Sequence, residues 1–248
     1  MTSAVKATLT DTAVPINWGL KLFSSPGNAI CGVNSGVEVP VGASSGLVIT
    51  AQIADVSPGG DTPTAQAITA ATAYLQTVTD HNTKSILLAT DGEPNCGESG
   101  TTNNNVAATV AAIISAKNVG FRVYVIGIGP SVGNLDSFAI AGGNTRYYAA
   151  TSSQDLASAF GSISQGVAAC TFLLEQALFD PNSTVAYLDG RLVTKDDPNG
   201  WTIGAGGQSV VLVGTSCDAV TAGAAKEVRV LQLCPGEQPP PVLLRAGR

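Results

Sequence analysis

The sequence is poor in charge, in histidine and in long hydrophobic runs. Only 12% of its 248 residues are charged, and His81 is the sole histidine. Because His81 lies in the polar segment 79–84, we expect it to be solvent-exposed, and a Ser-His-Asp or Cys-His group has no other histidine as its base. No P-loop, HExxH or EF-hand spacing occurs, so we predict that the protein is not an enzyme. The longest apolar runs have the length of strands, which argues against a membrane span.

Basic residues are also few and scattered. Twelve lysines and arginines stand against eighteen acidic residues, and the formal net charge is -6. Proteins that bind nucleic acid carry a basic patch or stripe. Nucleic acid is therefore excluded as the expected partner.

Cysteine is present, but not in a metal-binding pattern. The five cysteines are widely spaced and include no CxxC pair, which is typical of structural disulfides formed in an oxidising compartment. We expect an extracellular, periplasmic or cell-surface protein, although no signal peptide occurs in the given residues.

Helices and strands alternate through residues 1–169. The runs 85–89 and 121–129 are continuously apolar, as strands covered on both faces are. The helical patterns are 2–11, 45–56, 63–78, 105–120, 134–143 and 153–169, and two further strands are predicted at 16–23 and 146–150. This alternation predicts an α/β domain with a doubly wound, mostly parallel sheet.

The pattern changes at Cys170. Strand-like runs at 171–178, 184–193, 209–214 and 227–233 are separated by turn residues and by no predicted helix. We predict a small, cysteine-containing all-β module over 170–235. A Pro-rich tail over 236–248 is predicted to be a flexible linker end.

Two oxygen-bearing residues are the candidates for a metal site. Asp91 follows the predicted strand 85–89 at its carboxyl end, where open α/β sheets place their ligands. Thr62 precedes Pro63 and is predicted to be the N-cap of the helix 63–78. A carboxylate and a hydroxyl are ligands that Mg²⁺ or Mn²⁺ prefers, although two ligands alone are too few.

The segments around these residues resemble the von Willebrand factor A domain. The resemblance lies in 58-PGGDTPTAQAI-68 and 88-LATDGEPN-95 and in the order of elements up to about residue 169. It implies a divalent-cation site for protein recognition or adhesion, with Thr62 and Asp91 as metal ligands. It also implies Mg²⁺ or Mn²⁺ as the ion and a protein partner whose carboxylate completes the coordination.

The chain departs from the family pattern at one place. The family carries a DxSxS motif after its first strand, and no DxSxS occurs in this sequence. We therefore expect that the first strand is missing and that Met1 is an internal residue of a longer protein. The expected site is accordingly partial, and its metal could be lost from this chain.

Several alternatives remain open for these segments. Thr62 alone could be a helix cap and Asp91-Gly92 alone a turn. Asp61, Gly92 and Glu93 are predicted at the rim of the site rather than as ligands. A purely structural cell-surface module without a metal is a further alternative.

A dinucleotide-binding domain is the alternative from another class. The loop 127-GIGPSVG-133 follows a predicted strand and would place Gly127 and Gly129 at a phosphate. Its spacing is GxGxxxG rather than GxGxxG, and Pro130 interrupts it. The pattern therefore favours the metal site.

The cysteines allow more than one pairing. Cys31 and Cys96 both fall in loops near the candidate site, and Cys217 and Cys234 flank a strand-turn-strand segment. We predict these two pairs, which leaves Cys170 free or bonded to a residue upstream of Met1. A buried free thiol is the alternative for any one of them.

Overall fold

The computed structural model describes most of the chain. The described residues are 9, 16–25, 30–43, 45–57, 59–79, 84–97, 105–129, 133–168, 170–174, 178, 180–204, 207, 209–234 and 236–241. The predicted helix 2–11, apart from residue 9, and His81 lie outside them. The chain divides into an N-terminal unit (Met1–Val78 and Ser85–Gln165) and a C-terminal unit (Thr79–Lys84 and Gly166–Arg248).

The N-terminal unit is built on a parallel sheet flanked by helices, as the sequence predicts. Its strands are β1 (Trp18–Leu20), β2 (Val39–Gly42), β3 (Ser85–Thr90), β4 (Arg122–Ile128) and β5 (Tyr148–Ala150). Its helices are α1 (Ser45–Ala54), α2 (Thr64–Thr77), α3 (Val106–Asn118), α4 (Leu135–Ala141) and most of α5 (Ser153–Ala168). Strands β3, β4 and β5 are parallel neighbours in that order, and β1 pairs with β2 antiparallel.

The apolar runs that predict β3 and β4 lie in the core. In β4, Val123 and Val125 are fully buried with Leu88 of β3, and Ile113 and Phe138 from α3 and α4 pack in the same cluster. This burial explains why β4 has no polar-apolar alternation. The sheet therefore holds the loops that follow its strands on a rigid support.

The C-terminal end of helix α3 follows from its local sequence. Helix α3 ends where Gly120 takes a positive φ of 91°, and the amides of Gly120 and Phe121 donate to the carbonyls of Lys117 and Ala116. Glycine adopts this left-handed conformation without the steric cost of a Cβ, so Gly120 closes the helix as predicted.

The C-terminal unit contains two antiparallel sheets. Its strands are β6 (Thr171–Leu173), β7 (Thr184–Leu188), β8 (Arg191–Val193), β9 (Trp201–Ile203), β10 (Ser209–Leu212) and β11 (Val228–Gln232). The strand orders are β6-β10-β9 and β11-β7-β8. Trp201 is 1% exposed in the core, and its indole N–H donates to the Val193 carbonyl over 3.0 Å.

Two features of this unit differ from the predicted all-β module. The run 184–193 is a hairpin rather than one strand, because Asp189 and Gly190 both take positive φ and form its turn. An additional helix, α6 (Gly214–Thr221), follows β10. Its first turn is bonded to the loop between β8 and β9: the Thr215 amide donates to the Asn199 side chain, and the Ser216 hydroxyl donates to the Asn199 carbonyl.

The pairing of the C-terminal cysteines also differs from the prediction. Cys217 on α6 bonds to Cys170, and both lie in the core of the unit. The predicted bond between Cys217 and Cys234 is therefore wrong. Cys234, the remaining cysteine of the five, is exposed and free. The distance between Cys170 and Cys217 is set by the packing of α6 against the sheet, which the spacing of cysteines in the sequence does not reveal.

The described part of the Pro-rich tail is held by hydrogen bonds. The Tyr187 hydroxyl donates to the Pro240 carbonyl over 2.8 Å, and the Leu192 amide donates to the Pro241 carbonyl over 3.1 Å. Residues 240 and 241 thus differ from the flexible linker that we predict, while 242–248 lie outside the described residues. Among the helices that the structure describes, none combines the length and the hydrophobicity needed to cross a membrane.

Candidate functional site

Asp91 is the first residue after strand β3 and is exposed. A tight turn follows the strand at this point. The buried Thr90 hydroxyl donates to the Gly92 carbonyl over 2.9 Å and accepts from the Gly92 amide over 3.3 Å. This turn ends the strand and leaves the Asp91 side chain at the carboxyl edge of the parallel sheet, where α/β folds bind their ligands.

Thr62 lies in the loop before α2, but it is not the N-cap that we predict. The helix begins at Thr64, and the N-cap residue is Pro63, whose φ of -78° and ψ of 58° are not helical. Pro63 has no side-chain group that could cap the helix, and the Thr62 hydroxyl makes no hydrogen bond within the described residues. The hydroxyl is therefore available to a ligand.

The two halves of the sequence motif meet in the structure. A Cβ placed on Gly92 would lie 3.7 Å from Thr62 Oγ1, so the threonine faces the turn that carries Asp91. None of the described residues donates a hydrogen bond to the Asp91 carboxylate. Two oxygen-bearing side chains from separate loops thus lie at the same edge of the sheet, each without a protein partner in the described part of the chain.

Asn95 joins these two loops, and sequence reasoning gives it no role. Its side-chain Oδ1 accepts a hydrogen bond from the Thr62 backbone amide over 2.7 Å, and its backbone amide donates to the Thr62 carbonyl over 3.3 Å. Its Nδ2 donates to Asp61 Oδ1 over 3.2 Å. Asn95 is the last residue of the segment 88-LATDGEPN-95, and its side-chain amide can both donate and accept a hydrogen bond. This property is the sequence signal that could have indicated its role.

The predicted rim residues are engaged by other side chains. Asp61 accepts from Asn95, and Glu93 Oε1 accepts from Asn134 Nδ2 over 2.9 Å. Asn134 is the N-cap residue of α4, so Glu93 connects the Asp91 loop to a third loop. Gly133 allows this approach, since a Cβ there would lie 2.3 Å from Glu93 Oε1.

The predicted Cys31–Cys96 bond is present beside these loops. Asp61, Cys31 and Cys96 bring their potential ligand atoms within 4.8 Å of one another. A thiolate is the sulfur species that binds a metal, and both sulfurs are consumed in the disulfide. This cluster is therefore a crosslink next to the candidate site and not a metal centre.

Thr62 and Asp91 fit a weakly held hard cation. Mg²⁺ keeps several water molecules and is bound by only one or two carboxylates in many protein sites. Among the described residues, no two further carboxylate, histidine or cysteine ligands cluster with Asp91. Thr62 and Asp91 would hold the ion, which would in turn provide a Lewis-acidic point for an oxygen ligand.

The glycine of the alternative dinucleotide loop has a packing role. A Cβ on Gly127 would lie 2.5 Å from Leu135 Cδ1 and 2.8 Å from the Tyr147 ring. Close approach of these side chains accounts for Gly127 without a phosphate. Residues 130–132 of this loop lie outside the described residues.

These features together define an α/β domain whose candidate ligand site lies at the carboxyl edge of a parallel sheet. Residues 43–162 match the family model of the von Willebrand factor type A domain. This part of the chain is a von Willebrand factor type A domain. The match includes Thr62, Asp91 and Asn95.

Two solved structures of one pilus adhesin support the same fold. The pilus adhesin SpaC from Lactobacillus rhamnosus GG, in its open conformation, is similar with a TM-score of 0.54 and 19% identity. A second form of SpaC gives 0.53 and 17%, and in both comparisons 86% of this chain and 34% of SpaC are covered. A von Willebrand factor type A protein from Catenulispora acidiphila gives 0.46 and 16%, with 92% and 50% covered. No curated protein matches the chain. This chain thus spans about a third of the length of SpaC.

Proposed function

We propose that this chain is a protein-recognition module of the adhesion type, and that its binding depends on a divalent cation. The observation that carries the proposal is the meeting of the Thr62 hydroxyl with the Asp91-Gly92 turn at the carboxyl edge of the sheet. The Thr62 hydroxyl and the Asp91 carboxylate each lack a hydrogen-bond partner among the described residues. The match to the von Willebrand factor type A domain and the likeness to a pilus adhesin support it.

The proposed ion is Mg²⁺ or Mn²⁺, and the proposed partner is a protein that offers a carboxylate. Thr62 and Asp91 bind the ion, while water fills the other positions in the free protein. Few protein ligands leave positions that an acidic side chain of the partner can take. In the absence of the ion, a partner carboxylate at this edge would approach Asp61, Asp91 and Glu93 and would be repelled.

The proposed location is extracellular, periplasmic or on the cell surface. The two disulfides support it, because they form and persist in oxidising compartments. The proposed activity is binding and not catalysis, since no hydrogen bond joins the Thr62 hydroxyl to the Asp91 carboxylate, as it would between a nucleophile and its general base.

A thermal melt of the whole chain with excess Mn²⁺ and with EDTA tests the metal. An ion at a hundred times its dissociation constant stabilises the native state by about 2.7 kcal/mol. We expect the Mn²⁺-dependent rise in Tm to disappear in Asp91→Ala and to shrink in Thr62→Ala. Asp55→Ala, which removes an exposed carboxylate at the end of α1, is the matched control and keeps the full shift.

Two results of this melt would contradict the proposal. No Tm shift in the unaltered chain contradicts the metal site. A shift that persists in Asp91→Ala places the ion elsewhere and contradicts the assignment of the ligands.

A further inference from the structure

Thr62 and Asp91 reach the site by different routes, and only one of them is fixed by the sheet. Asp91 directly follows β3, whose six residues pair with β4. Thr62 lies in the loop before α2 and belongs to no strand. Something other than the sheet must therefore set the distance between the threonine hydroxyl and the Asp91 loop.

Asn95 is the residue that links the two loops. Thr62 is bound from both sides, because its amide donates to Asn95 Oδ1 and its carbonyl accepts from the Asn95 amide. The Asn95 Nδ2 donates to Asp61, the neighbour of Thr62. Three hydrogen bonds from one residue thus hold the backbone at Thr62 and the side chain beside it.

Only an amide side chain can make this arrangement at this length. The side chain must accept from an N–H and donate to a carboxylate at the same time, and asparagine has one group of each kind. Aspartate would keep the acceptor, but it would lose the donor and place a second carboxylate against Asp61. Alanine would lose both side-chain bonds.

Asn95 is itself held on a rigid support. The carbonyls of its two neighbours, Pro94 and Cys96, accept from the amide and the Nδ2 of Asn105 over 2.9 Å and 2.7 Å. Pro94 and Cys96 are buried, and Cys96 is bonded to Cys31. A residue fixed on both sides can transmit its position to Thr62.

We propose that Asn95 is a positioning residue of the recognition site, which holds the Thr62 hydroxyl toward the Asp91-Gly92 turn without touching the cation. The proposal rests on the proposed function for its effect on metal binding. The effect on the Thr62 loop is independent of the metal. The two parts can therefore be measured separately.

The first measurement is Mn²⁺ titration of the full chain and of Asn95→Ala. Loss of a residue that orients a metal ligand commonly weakens metal affinity by about 10- to 100-fold, and we expect a loss in this range. Asn105→Ala is the matched control, because it removes a hydrogen bond to the same segment but contacts neither Thr62 nor Asp61. We expect a smaller loss of affinity than in Asn95→Ala, because the Asn105 backbone amide still donates to the Pro94 carbonyl and the bonds between Asn95 and Thr62 remain.

The second measurement is amide hydrogen exchange at Thr62 in EDTA. We expect faster exchange at Thr62 in Asn95→Ala than in the unaltered chain or in Asn105→Ala. Asn95→Asp keeps the acceptor for the Thr62 amide but brings a second carboxylate to Asp61, so we expect exchange between that of the unaltered chain and that of Asn95→Ala. Asn95→Ser, whose side chain is too short to reach both partners, serves if Asn95→Ala does not fold. Unchanged exchange at Thr62 in a folded Asn95→Ser would contradict the proposal.

The outcomes separate the two proposals. Equal affinities in all variants, or equal losses in Asn95→Ala and Asn105→Ala, overturn the positioning role. If the unaltered chain binds no Mn²⁺, the metal dependence of the proposed function fails, and Asn95 is then judged by exchange alone. Unchanged exchange at Thr62 in Asn95→Ala overturns the positioning role in that case as well.

Discussion

The disulfide Cys31–Cys96 lies beside the loops of the candidate site, whereas Cys170–Cys217 lies in the hydrophobic core of the C-terminal unit. Cys31 is half-buried and its partner is 1% exposed, while Cys170 and Cys217 are 0% and 5% exposed. The N-terminal unit already has a parallel sheet covered by helices as its core. The C-terminal unit has short strands, and its crosslink forms part of what they pack against. The same bond thus restrains a surface in one unit and completes a core in the other.

Chain entropy alone does not distinguish the two bonds. Their sequence separations are 65 and 47 residues, and the loop-closure estimate is about 4 kcal/mol for each. Any difference in their effect on stability must therefore come from the folded state. The burial of the sulfurs is the relevant difference.

The largest effect is expected from the double variant Cys170→Ala and Cys217→Ala. It should lower the free energy of unfolding by about 5 kcal/mol, since it removes the crosslink and leaves a cavity in a closed core. Urea unfolding under non-oxidising, metal-free conditions measures this loss. Cys234→Ala, which removes the exposed free thiol, is the control and should change stability by less than about 0.5 kcal/mol.

A smaller loss is expected from Cys31→Ala and Cys96→Ala together. The same urea experiment should give about 4 kcal/mol, because the entropic part remains while the cavity is smaller at the half-buried Cys31. If this pair costs as much as Cys170 and Cys217 or more, the distinction between a surface restraint and a core crosslink does not hold.

The smallest effect concerns one carboxylate at a helix start in each unit: Asp155 lies in the first turn of α5, and Asp180 is the N-cap of a short 3-10 helix (Pro181–Ser183). The Thr151 side chain and then Ser152 donate to Asp155 and lower its pKa, and Ser183 and the Asn182 amide do the same for Asp180. A pKa below the ordinary 3.8 means that each carboxylate stabilises the fold above about pH 4. This stabilisation is lost as the pH falls through the lowered value.

Asp155→Asn and Asp180→Asn should therefore flatten the dependence of the urea midpoint on pH between about 2 and 4. We expect little difference between them, because both residues are half-buried and each accepts hydrogen bonds from neighbouring side-chain and backbone groups. An unchanged pH profile in both variants would contradict a role for these caps in acid stability.

Much of the N-terminal fold follows from patterns that act locally. The apolar runs of β3 and β4 reflect burial on both faces, and Gly120 reports the end of α3 through its own backbone. β2 was not predicted, because its sequence VPVG contains a proline and a glycine, which are rare in strands. Pairing with β1 forms this strand despite its composition.

In the C-terminal unit, some elements have a local sequence signal and others depend on contacts distant in sequence. The Asp189-Gly190 pair is a strong hairpin signal that could have divided the run 184–193 into β7 and β8. Helix α6 has little local signal, since GTSCDAVT contains residues that favour caps and strands. It is held by Asn199 and by the bond to Cys170, both of which are distant in sequence.

The candidate site also contains residues that the sequence indicates and contacts that only the fold reveals. Thr62 and Asp91 could be selected from the sequence because each lies in a motif of recognisable residues. The role of Asn95 depends on a residue 33 positions away, and the fold alone brings the two together. The pairing of Cys170 with Cys217 depends on tertiary structure for the same reason.

The hydrogen bonds to Pro240 and Pro241 have a consequence for aggregation. β8 lies at the edge of its sheet, and the Leu192 amide points to the tail rather than to β7. An open strand edge can recruit a strand of another molecule, whereas proline has no N–H with which to continue a ladder. Pro241 thus occupies an amide of the edge strand, within a run of three prolines (239–241) that cannot itself extend a ladder. Shortened forms of the protein that end before residue 239 would expose this edge to self-association.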